Sequence, residues 1–293
     1  MSRSLLCLGY GYSARAIAAE AMRKGWQVTG TSRSADKAAA MADADVAALD
    51  FSGEAPSPDV SAAIKSANAV VVSIAPDAAG DPVLRHHAAD FAAVRWVAYL
   101  STVGVYGDHG GAWVDEATPP RPVSTRSVWR VAAEDEWRRA AAASGFACDI
   151  LRLSGIYGPG RNAFAKLRDG TARALVKPGQ VFNRIHVADI AGATLAALGN
   201  PGPAGETRLF NVTDDEPSPP QEALWYAADI AGLPRPPAID FETAELTPMA
   251  RSFYGECKRV SNGKVKRELG YRFRYPTWRD GLDALRASGE ADT

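Results

Sequence analysis

A glycine-rich segment near the start of the chain has the residues needed to bind phosphate groups. Gly9, Gly11 and Ala14 form a G-x-G-x-x-A pattern that also includes Tyr12 and Ser13. In such a pattern the first glycine permits a tight turn, the second lets a pyrophosphate approach the backbone, and the alanine lets the next helix pack closely on the sheet. The free N–H groups of a helix N-terminus attract the phosphates. The segment therefore predicts a dinucleotide site, with a plain glycine turn as the alternative.

The end of the next predicted strand indicates which dinucleotide would bind. An NAD(H) site usually has an Asp or Glu here that holds the ribose 2′-hydroxyl. This chain instead has Thr31, Ser32 and Arg33, with Lys37 shortly after. A guanidinium can hold a 2′-phosphate through paired, charge-assisted hydrogen bonds. We therefore predict NADP(H) in preference to NAD(H); the alternative is an ordinary solvated arginine.

An alternation of short apolar runs and amphipathic stretches must position these residues. The predicted strands cover residues 5–8, 27–31, 46–51, 69–74, 96–100 and 148–153. Stretches of helical composition separate them, at residues 13–24, 36–42, 60–67, 82–94 and 126–144. Strands that are apolar on both faces and alternate with helices are typical of a parallel sheet covered on each side. The prediction is an α/β fold with a doubly wound parallel sheet, the Rossmann fold.

Beyond residue 155 this rhythm ends, and proline and glycine become frequent. One further strand is predicted at 209–212 and one further helix at 221–231. We predict a dinucleotide-binding domain over residues 1–155, joined by returning segments near 184–213. Residues 156–183 and 214–293 would mainly form a smaller C-terminal substrate lobe over the carboxyl ends of the strands.

Five further segments carry a family resemblance. They are 100–107 (LSTVGVYG), 151–160 (LRLSGIYGPG), 184–190 (RIHVADI), 210–212 (FNV) and 264–271 (KVKRELGY). In this order they resemble the NAD-dependent epimerase/dehydratase family, the extended branch of the short-chain dehydrogenase/reductases, over nearly the whole chain. The resemblance implies a Rossmann domain with a C-terminal substrate lobe. It also implies that Asp50 lies near the adenine. The segment that contains Ser73, Ala75 and Pro76 would then run along the cofactor.

The resemblance fails at the residues that carry out the family's chemistry. The family uses a Tyr as acid/base and a Lys four residues later, on the long helix after the fifth strand, where the Lys lowers the pKa of the Tyr. Counting back from Ala133 and Glu134, these positions are Arg126 and Arg130 in this chain. An arginine stays protonated near neutral pH and cannot readily take up a proton. Arg130 could replace the Lys as a cation that binds ribose. Arg126 could bind an anionic substrate group or polarise a carbonyl.

Other side chains near the predicted site could bind the substrate or donate a proton. Ser101 and Thr102 match the hydroxyl residue with which the family binds its substrate, and Tyr106 follows the fifth strand at the carboxyl edge of the sheet. Tyr106 could supply the missing proton or could be a packing residue. Arg161 and Arg184 could hold a substrate phosphate or carboxylate, with surface ion pairs as the alternative.

Composition excludes several classes of protein. Of the 293 residues 46% are hydrophobic and 23% are charged, and the net charge of -1 gives no excess of basic residues for nucleic acid. The three cysteines, Cys7, Cys148 and Cys257, lack metal-ligand spacing, so no metal is predicted. Neither a signal peptide nor a membrane span is evident, and a cytoplasmic location is expected.

Two hypotheses for function follow. The first is an NADP(H)-dependent oxidoreductase or epimerase-like enzyme that transfers a hydride to or from a small polar or sugar-nucleotide-like substrate. The second is a catalytically inactive NADP(H)-binding module that reports the redox state of the cofactor to a protein partner, because the Tyr and the Lys are missing. Trp129 and Trp137, on one face of the helix at 126–144, could belong to the core or to the seam of a homodimer.

Overall fold

The computed structural model describes residues 3–42, 44–247 and 251–291, and its centre is a sheet of seven parallel strands. The sheet strands are β1 (Ser4–Leu8), β2 (Gln27–Ser32), β3 (Ala47–Asp50), β4 (Ala69–Val72), β5 (Trp96–Thr102), β7 (Ala147–Leu153) and β11 (Thr207–Val212). Their order is β3-β2-β1-β4-β5-β7-β11. The chain runs outward from β1 to β3 and then returns to β4 on the other side of β1. This reversal confirms the predicted doubly wound α/β fold.

The helices of the described residues lie on both faces of the sheet and around the C-terminal lobe. They are α1 (Tyr12–Arg23), α2 (Ala35–Ala42), α3 (Pro58–Ser66), α4 (Pro82–His87), α5 (Thr125–Ser144), α6 (Ala163–Arg168), α7 (Val187–Gly199), α8 (Pro220–Ile230), α9 (Gly263–Leu269) and α10 (Trp278–Ala287). Two 3₁₀ turns follow α4 and β5, at Ala88–Ala93 and Val103–Tyr106. None of these helices has the length and apolar character that a membrane crossing requires.

The strands are apolar on both faces because helices cover both faces. All four residues of β4 and all seven of β7 are buried. Along β1, Leu5 and Cys7 pack in the core beneath α1 and α7, whereas Leu6 and Leu8 pack in the core beneath α3 and α5. Burial of an aliphatic side chain contributes about 1.5–3 kcal/mol to folding. The two cores therefore hold the strands, and with them the loops at their carboxyl ends, in fixed positions.

The single helix predicted over 82–94 is wrong in its second half. Asp81 caps α4 by accepting hydrogen bonds from the N–H groups of Val83 and Leu84, but the helix ends at His87. The backbone of His87 leaves the helical region with a φ of -133°. Its buried imidazole contacts the carboxylate of Asp90 at 2.9 Å, and the chain continues as a 3₁₀ turn.

Six short strands outside the main sheet form three parallel pairs, and all but β6 lie beyond residue 154. They are β6 (Trp113–Val114) with β13 (Arg259–Val260), β8 (Gly155–Tyr157) with β10 (Arg184–His186), and β9 (Ala174–Val176) with β12 (Ala238–Asp240). Side chains of α6, α8 and α10 pack together around Tyr157 and Trp278. The segments of α7 and β11 return to the main sheet. The exact domain boundaries stay a prediction.

Candidate functional site

The turn after β1 requires glycine at its first position. Gly9 has a φ of +89°, and a Cβ there would lie 2.9 Å from both Ser73 Oγ and Ile74 Cγ1. The Gly9 N–H donates to Thr31 Oγ1 at 2.8 Å, and the Gly9 carbonyl accepts from Ser73 Oγ at 2.5 Å. The turn is therefore tied to the ends of β2 and β4, the two neighbours of β1 in the sheet.

The N-terminus of α1 faces open space. Gly11 is the N-cap residue, its backbone is extended, and a Cβ there would meet no atom within 4 Å. No side chain caps α1 within the described residues, and its first turn contains no acidic residue. Ala14 is completely buried, so the helix lies close to the sheet. The backbone N–H groups of Ser13 and Ala14, together with the helix dipole, suit an anion. The segment fits a pyrophosphate.

The ends of β2 and β3 lie side by side beyond the glycine turn. Ser32 is paired in register with Asp50, which is exposed at the end of β3. Arg33 is also exposed, and the structure gives it no ion pair within the described residues. The side chain of Lys37 lies outside the described part of the chain. A cation is thus available where a 2′-phosphate is predicted.

The segment after β4 lies beside the glycine turn. Ser73 is half-buried and anchors the turn, Ala75 is exposed, and Pro76 is buried. β4 is separated from β1 in the chain by β2 and β3 but is its direct neighbour in the sheet. The structure thereby brings two distant sequence segments, 9–14 and 73–76, to one place.

A buried ion pair links α5 to two strands of the sheet. Glu134 on α5 and Arg152 on β7 are 0% and 1% exposed, and they form two hydrogen bonds of 3.0 and 2.7 Å. Ser101 on β5 donates its hydroxyl to Glu134 Oε1 at 2.6 Å. This contact commits the Ser101 hydrogen to the core and favours a supporting role for that residue. Glu134 and Arg152 belong to two different elements, so no local sequence pattern marks them as a pair.

Tyr106 is completely buried beneath the carboxyl edge of the sheet. Its hydroxyl donates to Asn211 Oδ1 at 2.8 Å, and Arg152 Cζ lies 4.7 Å from the centre of its ring. Burial raises the pKa of Tyr106 above its usual value. These contacts favour the packing interpretation of this tyrosine over proton donation to a substrate.

Thr102 and two arginines lie at the carboxyl end of β5 and the start of α5. Thr102 is half-buried, and its oxygen accepts a hydrogen bond from the Gly104 N–H at 3.1 Å, which leaves the hydroxyl hydrogen able to donate. Arg130 donates to the Leu100 carbonyl at 2.7 Å, so its positive charge lies near the end of β5. Arg126, one turn earlier on α5, is exposed.

The loop after β8 contacts the start of α1. Tyr12 Oη donates to the Pro159 carbonyl at 3.0 Å, and Arg161 Cζ lies 5.8 Å from the centre of the Tyr12 ring. A Cβ on Gly158 would lie 2.7 Å from Tyr12 Oη, so glycine is needed for this close approach. The C-terminal lobe therefore places Arg161 next to the glycine segment.

Arg184 begins β10 and is partly buried inside the lobe. Its guanidinium donates to Ser218 Oγ at 2.8 Å and to the Pro220 carbonyl at 3.4 Å, and Cζ lies 5.6 Å from the centre of the Trp278 ring. Within the described residues no carboxylate forms an ion pair with it at 4 Å or less. These contacts of Arg184 are therefore hydrogen bonds and a ring contact inside the lobe, and not the surface ion pair considered as the alternative from the sequence.

His186 connects β10 to α7. Its Nδ1 accepts a hydrogen bond from the Ala188 N–H at 3.1 Å and caps the helix. Burial, and to a lesser extent the positive charge of Arg274, lowers the pKa of His186 to about 4. The imidazole is therefore neutral near neutral pH, as an accepting cap requires.

The strand order, the glycine cradle and the motifs along the chain define a dinucleotide-binding protein of the epimerase type. The sequence model of the NAD dependent epimerase/dehydratase family matches residues 8–213. The chain belongs to this family, and the resemblance drawn from the five segments is confirmed.

Individual relatives extend this comparison. A solved structure of a functionally unknown conserved protein from Silicibacter pomeroyi DSS is 48% identical, with a TM-score of 0.89 over 99% of this chain and 100% of that chain. Protein YeeZ of Escherichia coli strain K12 is 27% identical over 94% of this chain and 97% of that protein. A Streptomyces protein named 3-diazoavenalumate denitrifying reductase is 30% identical over 184 residues, which are 58% of this chain and 55% of the reductase. The match thus spans about half the length of the reductase.

Proposed function

We propose that this protein is an NADP(H)-dependent oxidoreductase that transfers a hydride to or from a small polar substrate. The observation that carries the proposal is the open N-terminus of α1, where a Cβ on Gly11 would meet no atom within 4 Å. Membership of a family named for NAD-dependent enzymes supports the cofactor class. The match to a protein named as a reductase supports the reaction class.

The residues that would hold the cofactor come from neighbouring strand ends. The backbone of residues 9–14 would bind the pyrophosphate, because its N–H groups and the dipole of α1 favour an anion. Asp50 would lie near the adenine, and residues 73–76 would run along the cofactor. When bound, the cofactor supplies or accepts the hydride.

Arg33 supports the preference for NADP(H). It is exposed at the end of β2, and residues 30–34 contain no Asp or Glu to bind a ribose 2′-hydroxyl. Each charge-assisted hydrogen bond from Arg33 or Ser32 to a 2′-phosphate would contribute about 1.5–3 kcal/mol. NAD(H) lacks this phosphate and would not gain these contacts.

Thr102, Arg126 and Arg130 would act on the substrate. Thr102 would donate its hydroxyl hydrogen to a substrate oxygen. Arg130 would stabilise negative charge that develops on that oxygen, since a fixed cation at the site lowers the energy of a developing oxyanion. Arg126 would bind an anionic part of the substrate. Ser101 and Tyr106 would support this arrangement from the core through their contacts with Glu134 and Asn211.

A second candidate is a module that binds NADP(H) without catalysis and reports its redox state to a protein partner. The burial of Tyr106, together with arginine at positions 126 and 130, favours it, because these residues provide no exposed phenol as acid/base. The two candidates differ in one measurement, the absorbance of bound NADPH during incubation with a panel of carbonyl compounds. Loss of absorbance supports the enzyme. Binding that differs between NADP⁺ and NADPH, with no oxidation by any acceptor, supports the module.

The cofactor preference is tested by comparing Arg33→Ser with Arg23→Ser, which removes an equal charge from the exposed end of α1. We expect Arg33→Ser to weaken NADPH binding about 10- to 100-fold, through loss of one charged contact, and to leave NADH binding unchanged. Arg23→Ser should change neither. Calorimetric titrations give both affinities, and equal loss of NADPH and NADH affinity in Arg33→Ser would remove the phosphate role.

We also propose a cytoplasmic location and a homodimer that pairs through α5. Val128 on that helix is 49% exposed, whereas Trp137 is completely buried in the core and cannot form the seam. Light scattering after gel filtration tests the dimer, and a mass equal to one chain would exclude it.

A further inference from the structure

Glu290, which follows α10, hydrogen-bonds to a loop that lies beside the start of α1. Its two carboxylate oxygens accept from the Gly160 N–H at 3.1 and 3.0 Å, and Oε2 also accepts from Asn162 Nδ2 at 2.9 Å. Gly160 and Glu290 are 130 positions apart in the chain. The contact therefore joins the segment after α10 to residues 158–162, which are called the 158–162 loop below.

The end of α10 sets the direction in which Glu290 leaves the helix. Gly289 has a φ of +87°, and its N–H donates to the Arg286 carbonyl at 3.0 Å. The Glu290 N–H donates to the Leu285 carbonyl at 3.1 Å. These two bonds form a Schellman motif, which ends a helix at a glycine with positive φ. Because Leu282 and Leu285 hold α10 in the core of the lobe, this motif fixes Glu290 relative to that core.

The 158–162 loop is a closed turn. Gly158 and Arg161 each donate their N–H to the carbonyl of the other at 3.0 Å. Asn162 is buried, its Oδ1 caps α6 by accepting from the Ala165 N–H at 3.0 Å, and its Nδ2 donates to the Gly158 carbonyl at 3.1 Å. Glu290 therefore contacts a turn that is already ordered by its own hydrogen bonds.

The same loop contacts the first residue of α1. Tyr12 Oη donates to the Pro159 carbonyl at 3.0 Å. Tyr12 begins α1 directly after the N-cap Gly11, and the first N–H groups of a helix have no partner within the helix. The backbone N–H of Tyr12 therefore belongs to the group of donors proposed to bind the pyrophosphate. The loop lies between these donors and Glu290.

Two charges of this region act at the start of α1. Burial raises the pKa of Tyr12, the positive charge of Arg161 lowers it, and the negative charge of Glu290 raises it by a smaller amount than Arg161 lowers it. Neither Arg161 nor Glu290 forms an ion pair within the described residues. Arg161 thus offsets the carboxylate at the start of α1 without being bound to it.

We propose that Glu290 is a positioning residue for the cofactor, because its bonds to Gly160 and Asn162 hold the 158–162 loop on Tyr12. The inference rests on the proposed function, which assigns a dinucleotide to the start of α1. A site whose donors are ordered before binding loses less conformational entropy when the ligand binds. Without the carboxylate, the loop and Tyr12 would gain freedom, and the cofactor would dissociate faster.

The first test needs no cofactor. Hydrogen exchange of the 158–162 loop, followed by mass spectrometry, is compared in the wild type, Glu290→Ala and Asp283→Ala. Asp283 is the matched control, because it is an exposed carboxylate on α10 that accepts from the Tyr226 hydroxyl at 2.8 Å. We expect exchange at Gly160 to be about tenfold faster in Glu290→Ala, since its N–H loses its acceptor, and unchanged in Asp283→Ala.

The second test measures the dissociation rate constants of NADPH and NADH by stopped-flow displacement. Glu290→Ala should raise both about 3- to 10-fold, because the two cofactors share the pyrophosphate. Arg33→Ser should raise that of NADPH alone. Glu290→Gln keeps an oxygen that can accept from Gly160 and should lie between the wild type and Glu290→Ala. Asp283→Ala should release both cofactors as the wild type does.

A double-mutant cycle shows whether the loop transmits the effect. Tyr12→Phe removes the hydroxyl that donates to Pro159, and Tyr12 forms no hydrogen bond with Glu290. In the Tyr12→Phe background, Glu290→Ala should change the dissociation rate constant of NADPH by less than about twofold, because the connection is already broken. Independent effects that multiply would overturn the inference.

The inference is also overturned if Glu290→Ala leaves hydrogen exchange of the loop unchanged. Slower release of NADPH by both Glu290→Ala and Glu290→Gln would overturn it as well, since the carboxylate would then only repel the phosphates. If the wild type binds NADPH and Glu290→Ala releases it at the same rate, only this inference is removed. If the wild type binds neither cofactor, the proposed function is removed and the positioning role with it.

Discussion

Replacing Gly11 with alanine separates cofactor binding from folding. A Cβ at this position meets no protein atom within 4 Å, and the backbone is extended, so the side chain creates neither a clash nor strain. Alanine is a poorer N-cap than glycine but reduces the entropy of the unfolded chain. These effects oppose each other, and we expect the free energy of unfolding to change by less than about 1 kcal/mol.

Cofactor affinity should respond much more strongly. The methyl group would occupy the space that a pyrophosphate needs in order to reach the N–H groups at the start of α1. Loss of one or two charge-assisted hydrogen bonds, at about 1.5–3 kcal/mol each, weakens binding by roughly 2–4 kcal/mol. This corresponds to an increase in Kd of about 30- to 1000-fold.

Two other glycines provide matched controls. Gly199, at the end of α7, also has no atom within 4 Å of a Cβ, so Gly199→Ala should preserve both stability and NADPH affinity. Gly9→Ala should lose both, because its φ is +89° and its Cβ would lie 2.9 Å from Ser73 Oγ and Ile74 Cγ1. We expect it to cost about 2–4 kcal/mol of unfolding free energy. Urea unfolding and calorimetry measure the two quantities. If Gly11→Ala binds NADPH as tightly as Gly199→Ala, the assignment of the cradle is refuted.

Three further predictions concern the supporting residues. The pKa of His186 is lowered from 6.5 to about 4, mainly by burial, so its contribution to stability is complete above pH 6.5 and is lost as the pH falls toward 4. Between pH 7.5 and 4.5 this loss of unfolding free energy is about 2–3 kcal/mol. His186→Asn can cap α7 but does not titrate, so its unfolding free energy, measured with urea, should fall less over the same pH range. Equal losses in the wild type and the variant would contradict this. Glu134→Gln should cost about 3 kcal/mol of unfolding free energy because it leaves Arg152 buried without its counter-ion, and Glu134→Gln combined with Arg152→Met should recover part of that loss. Tyr106→Phe should lower the unfolding free energy by about 1 kcal/mol through one lost hydrogen bond, and it should retain NADPH affinity in calorimetry. If the variant loses substrate turnover while its stability is unchanged, Tyr106 would again be the candidate acid.

The sheet could be predicted from the sequence because its information is local. Runs such as 69–72 are apolar at successive positions, which is typical of a strand covered on both faces. Glycine at position 9 marks a turn with positive φ, and that conformation depends on the residue itself. The approximate ends of the strands, and therefore the edge at which the site lies, follow from these two signals.

The contacts beneath the site could not be predicted in the same way. Glu134 lies on a helix and Arg152 on a strand, 18 residues apart in the chain, and only the packing of α5 on β7 shows that they pair. The sequence places Tyr106 just after β5, at the carboxyl edge of the sheet. The 3₁₀ turn after β5 directs its side chain into the core, where Asn211 of β11 accepts a hydrogen bond from its hydroxyl. The guanidinium of Arg184 contacts Ser218 and Trp278, which lie 34 and 94 residues further along the chain, so no stretch of sequence contains this arrangement.

We propose that the glycine segment binds a nicotinamide dinucleotide. Calorimetric titration of the wild-type protein with NADPH and, separately, with NADH tests it most directly. We expect saturable binding of one cofactor per chain, tighter for NADPH than for NADH because of Arg33. Tighter binding of NADH would remove the role of Arg33 and keep the cradle. The absence of binding by either cofactor would contradict the claim.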